Sequence, residues 1–307
     1  MAPKDRPVEG KAEARETIGA AAASKLPAGL YLVATPIGNL GDMTTRGASI
    51  LRAADRIAAE DTRVARRLLA ALAIPAPPLV RYDDHADEAT RERLLAAVEG
   101  GEAVALVSDA GMPVIADPGF KLVRAARRRG LRVTVAPGAS APLAALALSG
   151  LPSDRFFFAG FLPATETARL RALAGLASVP ATLLLLEAPQ RLAASLADMA
   201  QALGADREAV IARELTKMFE EVRSGSLGEL AATFASLPPP RGEIVAVIGP
   251  PAADAAGPSA EDLDTRLRAA LATMSLRDAV AAVAGATGAN RREVYARALA
   301  LGGQRRS

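Results

Sequence analysis

Short apolar runs alternate with segments of helical periodicity through the first half of the chain. Runs of strand length occupy residues 30–34, 56–59, 78–82, 103–108 and 132–136. Helical periodicity appears at residues 44–53, 62–71, 87–99, 117–129 and 140–148. The fourth helix is predicted to begin at Asp117 as its N-cap, with Pro118 in the first position. Strands and helices in alternation indicate a parallel sheet covered by helices, an α/β domain over residues 29–150.

The pattern changes after Gly150-Leu151-Pro152-Ser153, which we interpret as an interdomain link. Strands are predicted at residues 156–160, 181–187, 209–212 and 243–248. Helices are predicted at residues 166–177, 191–203 and 227–236, with a polar segment at 213–223. This order predicts a second α/β domain over residues 151–250, with a mixed sheet that contains antiparallel strands.

Both ends of the chain differ from these domains. Residues 1–28 lack an apolar stripe and predict a disordered tail. A linker rich in Pro, Ala and Gly at 249–259 leads to a helical tail over residues 260–303, in which helices at 276–283 and 291–300 flank a Gly-bearing turn. The pair resembles a helix-turn-helix. Such a pair either lies on nucleic acid or packs on its neighbours, and the sequence leaves both open.

Composition excludes several classes of protein. Half of the 307 residues are hydrophobic but only 3% are aromatic, so the cores consist of aliphatic side chains. The absence of cysteine excludes disulfides and thiolate metal sites and favours a cytoplasmic location, and a single histidine gives no reason to expect a metal. No apolar run approaches the roughly 20 residues that cross a bilayer, so we expect no membrane association. Of the 37 basic residues, 32 are arginines. Arginine side chains suit phosphate-bearing partners, but codon bias explains an arginine-rich composition equally well.

Three Gly- and Pro-bearing loops each follow a predicted strand: 34–40, 108–113 and 137–140. Ligands bind at the carboxyl ends of parallel strands, so these loops predict a small-molecule pocket. Pro36 and Gly38 bring exposed main chain to the first loop, and Gly111 allows close approach beside Asp109, whose carboxylate suits a cationic ligand. Asp109 in an ordinary turn is the alternative. Neither G-x-G-x-x-G nor a P-loop is present, so dinucleotides and ATP are disfavoured.

Charged clusters follow three other strands. Glu60 and Asp61 precede a helix that carries Arg63, Arg66 and Arg67, an arrangement that favours substrate binding over a merely solvated helix start. In the second domain the clusters are Glu187-Ala188-Pro189-Gln190-Arg191 and Arg213-Glu214-Leu215-Thr216-Lys217. Each is either functional or a surface turn. His85, the single histidine, lies in an acidic stretch without the G-x-S-x-G motif of a hydrolase.

These motifs, in this order, resemble the RsmI family of bacterial 16S ribosomal RNA ribose 2′-O-methyltransferases, within the tetrapyrrole methylase superfamily. The likeness covers residues 30–249. It depends on Thr35-Pro36-Ile37-Gly38-Asn39-Leu40, Glu60-Asp61-Thr62-Arg63, Ser108-Asp109-Ala110-Gly111, Pro137-Gly138, Gly150-Leu151-Pro152-Ser153-Asp154-Arg155-Phe156, Gly160-Phe161-Leu162-Pro163 and Ala212-Arg213-Glu214-Leu215-Thr216-Lys217. The tail, residues 275–299, is similar to the helical module of some members.

The resemblance implies a two-domain tetrapyrrole-methylase-like fold, S-adenosylmethionine as methyl donor, a homodimer, and a decoding-site cytidine of the small ribosomal subunit as acceptor. By motif matching, the donor contacts fall at Ile37, Gly38, Asp109, Met112, Ser140 and Ala141, to which Pro36 and Gly111 are added. Three positions depart from the family pattern: Met112 replaces the usual Thr, Ala86 the usual Asn, and Gln190 the usual His.

Methyl transfer to a ribose hydroxyl needs alignment and a base or a stabilising charge. The candidates for that role are Asp61, Glu60, Glu187 and Lys217, and those for RNA contact are Arg63, Arg66, Arg67 and Arg213. Two alternatives remain: a methyltransferase acting on a corrinoid or sirohaem precursor, and a ribosome-binding module without catalysis.

Overall fold

The computed structural model describes residues 25–251, 260–287, 289 and 291–303. The chain divides into two compact units, the first ending at Ser140 and the second beginning at Ala141. The tail predicted over residues 1–28 lies, up to residue 24, outside the described residues. The division falls ten residues before the link at Gly150, because the intervening helix packs on strands of the second sheet.

The first unit contains a five-stranded sheet in which all neighbouring strands are parallel. Its strands are β1 (Gly29–Val33), β2 (Arg56–Ala59), β3 (Leu79–Arg81), β4 (Ala103–Val107) and β5 (Val133–Ala136), in the order β3-β2-β4-β1-β5. Its helices are α1 (Thr45–Ala53), α2 (Thr62–Ala71), α3 (Glu88–Glu99) and α4 (Phe120–Arg128). The predicted parallel sheet is confirmed, and all five strands end at one side of it, the carboxyl edge.

Helices cover both faces of this sheet. Along β4, Ala105 and Val107 pack in one aliphatic core, and Val104 and Leu106 pack in the other. All four side chains are buried. A strand that is apolar on both faces is typical of a parallel sheet, which explains why the continuous run at 103–108 predicted it.

The predicted start of α4 at Asp117 is wrong. The helix begins at Phe120, and its N-cap is Gly119 with a φ of 132°. Val114 and Ala116 also have positive φ, 77° and 62°, so the chain between β4 and α4 cannot be helical there. Glycine is favoured at 119, since other residues rarely adopt a φ of 132° and a Cβ would crowd the side chains of Leu106 and Val114.

The second unit contains the mixed sheet. Its elements are α5 (Ala141–Ser149), β6 (Phe156–Phe161), α6 (Glu166–Leu176), β7 (Thr182–Glu187), α7 (Leu192–Leu203), β8 (Glu208–Arg213), β9 (Glu221–Ser226), α8 (Leu227–Ala235) and β10 (Ile244–Ile248). In the order β6-β7-β10-β8-β9, only β6 and β7 are parallel. The antiparallel strands are confirmed. β9 was missed, because this edge strand is largely exposed and lacks apolar alternation.

Three helices form the tail: α9 (Ala260–Leu271), α10 (Leu276–Thr287) and α11 (Arg291–Gly303). Their shared core includes Leu263, Leu267, Val280, Val283 and Val294. Of these helices, the sequence predicted α10 and α11 but not α9. No helix in the described ranges is long and apolar enough to span a bilayer.

Candidate active site

Two of the three predicted loops join at the carboxyl edge. Thr35, after β1, and Gly111, after β4, exchange backbone hydrogen bonds of 2.9 and 3.0 Å. The Thr35 hydroxyl also donates to the carbonyl oxygen of Ser108 at 3.2 Å. These bonds fix the first loop, which carries Pro36, against the second.

Two glycines allow the third loop, after β5, to approach the others. A Cβ on Gly138 would lie 2.8 Å from the Cβ of Ala34. Gly111 has a φ of 81°, and a Cβ there would lie 3.3 Å from Cγ2 of Ile37 and 3.5 Å from the carbonyl oxygen of Ala139. The three loops therefore meet, as expected from strands that end at one edge.

The remaining donor candidates lie on or beside these loops. Met112 and Ser140 are half-buried in the first unit, whereas Ala141 begins α5 in the second. Within residues 25–251, the backbone N–H groups of Ile37 and Gly38 donate to no carbonyl oxygen. Gly38 is exposed, with a φ of 148°. The first loop thus offers main-chain donors to a polar ligand.

Asp109, Glu60 and Asp117 form a group of three carboxylates at the carboxyl edge, and Asp84 is near enough to act on Glu60 and Asp117. Burial and the charge of Glu60 raise the pKa of Asp117 to about 7, and Asp109 and Asp84 act in the same direction. Burial raises the pKa of Glu60 too, as do the charges of Asp109 and Asp84. Mutual repulsion of this kind favours a cation beside the three groups. Asp109 is the carboxylate that the sequence predicted here.

Replacing Asp117 by asparagine should stabilise the protein at high pH. The folded-state pKa of about 7 lies above the ordinary value of 3.8, so wild-type stability falls as pH rises through this range. We expect the free energy of unfolding of Asp117→Asn to exceed wild type by about 1–2 kcal/mol at pH 8, allowing for solvent screening, with the gain lost toward pH 4. Urea unfolding at both pH values measures it. Asp206→Asn, at an exposed turn, is the control; equal stability of Asp117→Asn and wild type at pH 8 would contradict the prediction.

Asp61 caps α2 and holds Arg63. Its carboxylate accepts hydrogen bonds from the guanidinium of Arg63 at 2.6 Å and from the backbone N–H of Arg63 at 2.7 Å. These hydrogen bonds keep the pKa of Asp61 well below its usual range. The Asp61 N–H donates to Oδ1 of Asp109 at 3.1 Å, linking α2 to the β4 loop. A carboxylate with so low a pKa is a weak base. Arg66 and Arg67 are exposed one turn further along α2.

Glu187, at the end of β7, is buried and fully paired. Its Oε1 accepts from the backbone of Ala188 at 2.7 Å and from the guanidinium of Arg191 at 2.6 Å. Its Oε2 accepts from the hydroxyl of Ser195. With both oxygens engaged, Glu187 holds the turn between β7 and α7.

Lys217 lies in a constrained loop between β8 and β9. Its ammonium donates to Glu214 at 2.8 Å and to Glu243 at 3.1 Å. Burial lowers the pKa of Lys217, but these two carboxylates outweigh it and raise the pKa overall. Glu214 and Thr216 have positive φ, 52° and 66°, strain that fixed contacts must offset. With a raised pKa and two carboxylate partners, Lys217 is better suited to act as a positioned cation than as a base.

Arg213, at the end of β8, makes side-chain contacts within the second unit. Its guanidinium pairs with Glu221 of β9 at 2.8 Å and donates to the carbonyl oxygen of Arg241 at 3.0 Å. Because the residues of β9 carry no strand pattern in the sequence, this ion pair was not predicted.

The sequence did not indicate the interactions of Asp117 with the carboxylates of the first unit or of Glu214 with Lys217 in the second unit. The signal for Asp117 was its position in an Asp-Pro-Gly turn shortly after β4, which we interpreted as a helix start. Glu214 lies in the motif Arg213-Glu214-Leu215-Thr216-Lys217, but the hydrogen bond that it accepts from Lys217 depends on how the loop folds.

Comparisons with known proteins agree with this architecture. The family model of tetrapyrrole (corrin/porphyrin) methylases matches residues 29–231, and that of the RsmI C-terminal HTH domain matches residues 257–302. Among solved structures, diphthine synthase aligns with a TM-score of 0.56 at 19% identity, covering 72% of this chain and 89% of that one. A cobalt precorrin-4 methyltransferase aligns at 0.51 and 19%, covering 72% and 94%. These structures show the fold.

Curated relatives are closer in sequence. A Mesorhizobium japonicum protein named ribosomal RNA small subunit methyltransferase I is 49% identical over 279 residues, 91% of this chain and 94% of the relative. A Pseudomonas aeruginosa protein of the same name is 44% identical over 275 residues, 88% and 96% of the two chains. The chain therefore belongs to the tetrapyrrole methylase family, within its group of ribosomal RNA small subunit methyltransferases I.

Proposed function

We propose that this chain transfers a methyl group from S-adenosylmethionine to the ribose 2′-oxygen of a decoding-site cytidine in 16S ribosomal RNA. Its similarity to enzymes named for small-subunit ribosomal RNA methylation, over about nine-tenths of its length, carries the proposal. The acceptor atom and nucleotide come from the motif resemblance. We include in the proposal that the enzyme is cytoplasmic and acts as a homodimer.

The residues at the carboxyl edge fit such a donor. S-adenosylmethionine supplies an electrophilic methyl group on a positively charged sulfur. Asp109, Glu60 and Asp117 provide negative charge whose mutual repulsion a cation relieves. The main-chain N–H groups of Ile37 and Gly38 provide donors for polar groups of the same ligand. Together with the glycines that let the loops meet, these groups form the proposed donor site.

Glu60 is the best-placed proton acceptor among the candidates of the first unit. Its raised pKa makes it a stronger base than Asp61, whose carboxylate is held ionised by Arg63. Asp61 instead caps α2 and fixes the β4 loop. Glu187 positions the turn after β7, and Lys217 supplies a cation for a phosphate or a developing alkoxide. Arg63, Arg66, Arg67 and Arg213 contact the RNA backbone.

One experiment tests the proposal as a whole. The purified protein is incubated with labelled S-adenosylmethionine and small subunits from a strain that lacks the homologous enzyme. We expect label in 16S ribosomal RNA, on the 2′-oxygen of one decoding-site cytidine, as mapped by nuclease digestion and mass spectrometry. Label on a base, or none in RNA, would contradict it.

Arg63→Ala should weaken RNA binding and spare the donor. Arg63 is exposed at the start of α2, so it can exchange its contact with Asp61 for a phosphate. We expect about fivefold weaker affinity for small-subunit RNA at low salt. Calorimetry should give unchanged donor affinity. Arg128→Ala, an exposed arginine in the last turn of α4, is the matched control; an equal loss in both variants would indicate an unspecific charge effect.

A further inference from the structure

The tail presents a concave surface that is basic and aromatic. It has a volume of about 350 Å³ and lies between α10 and α11. Its lining is Arg277, Val280, Arg291, Arg292 and Tyr295, which we name the α10–α11 face. Val280 is buried at its base, and Tyr295 is 47% exposed. Guanidinium groups around an exposed ring are suited to phosphate and to the flat face of a base.

The charges of the module are separated. In the described part of the tail, no acidic side chain lines this face. Asp262 pairs with Arg266 along α9 at 2.9 Å, and Asp264 pairs with Arg297 across to α11 at 2.9 Å. Asp262 and Asp264 of α9 are thus engaged in ion pairs, while Arg277 and Arg291 line a face that has no acidic side chain among its described lining residues.

We infer that the α10–α11 face binds single-stranded RNA of the ribosomal substrate, with phosphates on Arg277 and Arg291 and a base stacked on Tyr295. This inference rests on the proposed function for the identity of the RNA. Charge complementarity favours RNA. Its backbone carries one negative charge per nucleotide, whereas the described residues that line the face include arginines and no acidic side chain. Tyr295 adds a stacking surface that a contact made by charge alone would not need.

The test compares variants of the full chain for binding to a single-stranded RNA by fluorescence anisotropy. Arg277→Ala with Arg291→Ala should weaken binding about tenfold at 0.1 M salt. It should also reduce the slope of log affinity against log salt by about 1.4, the value for two phosphate contacts. Arg266→Ala with Arg268→Ala, which removes two positive charges from α9, should leave the affinity and the slope near wild type.

Substitutions of Tyr295 test stacking separately. Tyr295→Ala should weaken RNA binding about tenfold, and Tyr295→Phe, which keeps the ring, should bind like wild type. Thermal unfolding checks that each variant is folded, and donor affinity should not change. Wild-type RNA affinity and salt slope in the α10–α11 double variant would overturn the inference, as would an equal loss in the α9 control.

A third outcome identifies a different partner. Unchanged binding to RNA with weakened binding to whole small subunits would assign the face to a ribosomal protein and overturn RNA as its ligand. Methyl incorporation by the wild-type chain is measured independently, so failure of the proposed function is distinguishable from failure of this inference.

Discussion

Asp109→Ala is expected to reduce the affinity for S-adenosylmethionine by more than about 100-fold, while RNA affinity stays within about twofold. Asp109 follows β4, where the three Gly- and Pro-bearing loops meet. It contributes to the negative charge that raises the pKa of Glu60 and Asp117. Its Oδ1 also accepts the N–H of Asp61 at 3.1 Å. The alanine variant loses both the charge and this link, and isothermal titration calorimetry measures the result.

Asp109→Asn separates these two effects. The amide oxygen can still accept from Asp61, so α2 keeps its place, but the charge is gone. We expect a donor affinity about tenfold below wild type, and a much smaller loss for S-adenosylhomocysteine, whose sulfur is neutral. Asp206→Ala, at an exposed turn of the second unit, should bind both ligands normally. Wild-type donor affinity in Asp109→Ala would place the donor site elsewhere.

The sequence predicted the part of the site that follows from topology. Each strand of a parallel sheet is buried on both faces, so apolar runs such as that of β4 were unambiguous. Loops that follow such strands must emerge at one edge, which is why the meeting of Thr35, Gly111 and Gly138 was predictable before any distance was known. The resemblance to the RsmI family then indicated S-adenosylmethionine as the ligand expected at that edge.

The rest depended on non-local contacts. The Asp-Pro-Gly sequence at 117–119 is typical of a helix start, but left-handed residues at Val114 and Ala116 delay the helix to Phe120. β9 is an exposed edge strand that is held by pairing to β8, so its own residues carry little periodicity. The raised pKa of Asp117 likewise comes from burial in the folded chain and from charges distant in sequence, such as that of Glu60.

Glu60→Gln is expected to lower kcat by about 10²- to 10⁴-fold. Because the variant also loses a negative charge of the proposed donor site, kcat is measured at saturating donor. The amide keeps the size of the side chain but cannot accept the ribose proton. Since burial and nearby carboxylates raise the pKa of Glu60, the wild-type rate should rise with pH through an inflection above the ordinary glutamate range. The variant should lose this inflection. Single-turnover methylation of small subunits across pH 5–9 measures both.

Asp61→Asn is the matched comparison for Glu60→Gln because the two carboxylates are adjacent and only one is a capable base. The pKa of Asp61 already lies well below its usual range, so its loss should cost less than about tenfold in kcat and leave the pH inflection in place. Asn can still cap α2, but it loses the charge that pairs with Arg63, so the free energy of unfolding should fall only slightly. If Asp61→Asn removed the inflection and Glu60→Gln retained it, the base would be Asp61, and the raised pKa of Glu60 would have no part in catalysis.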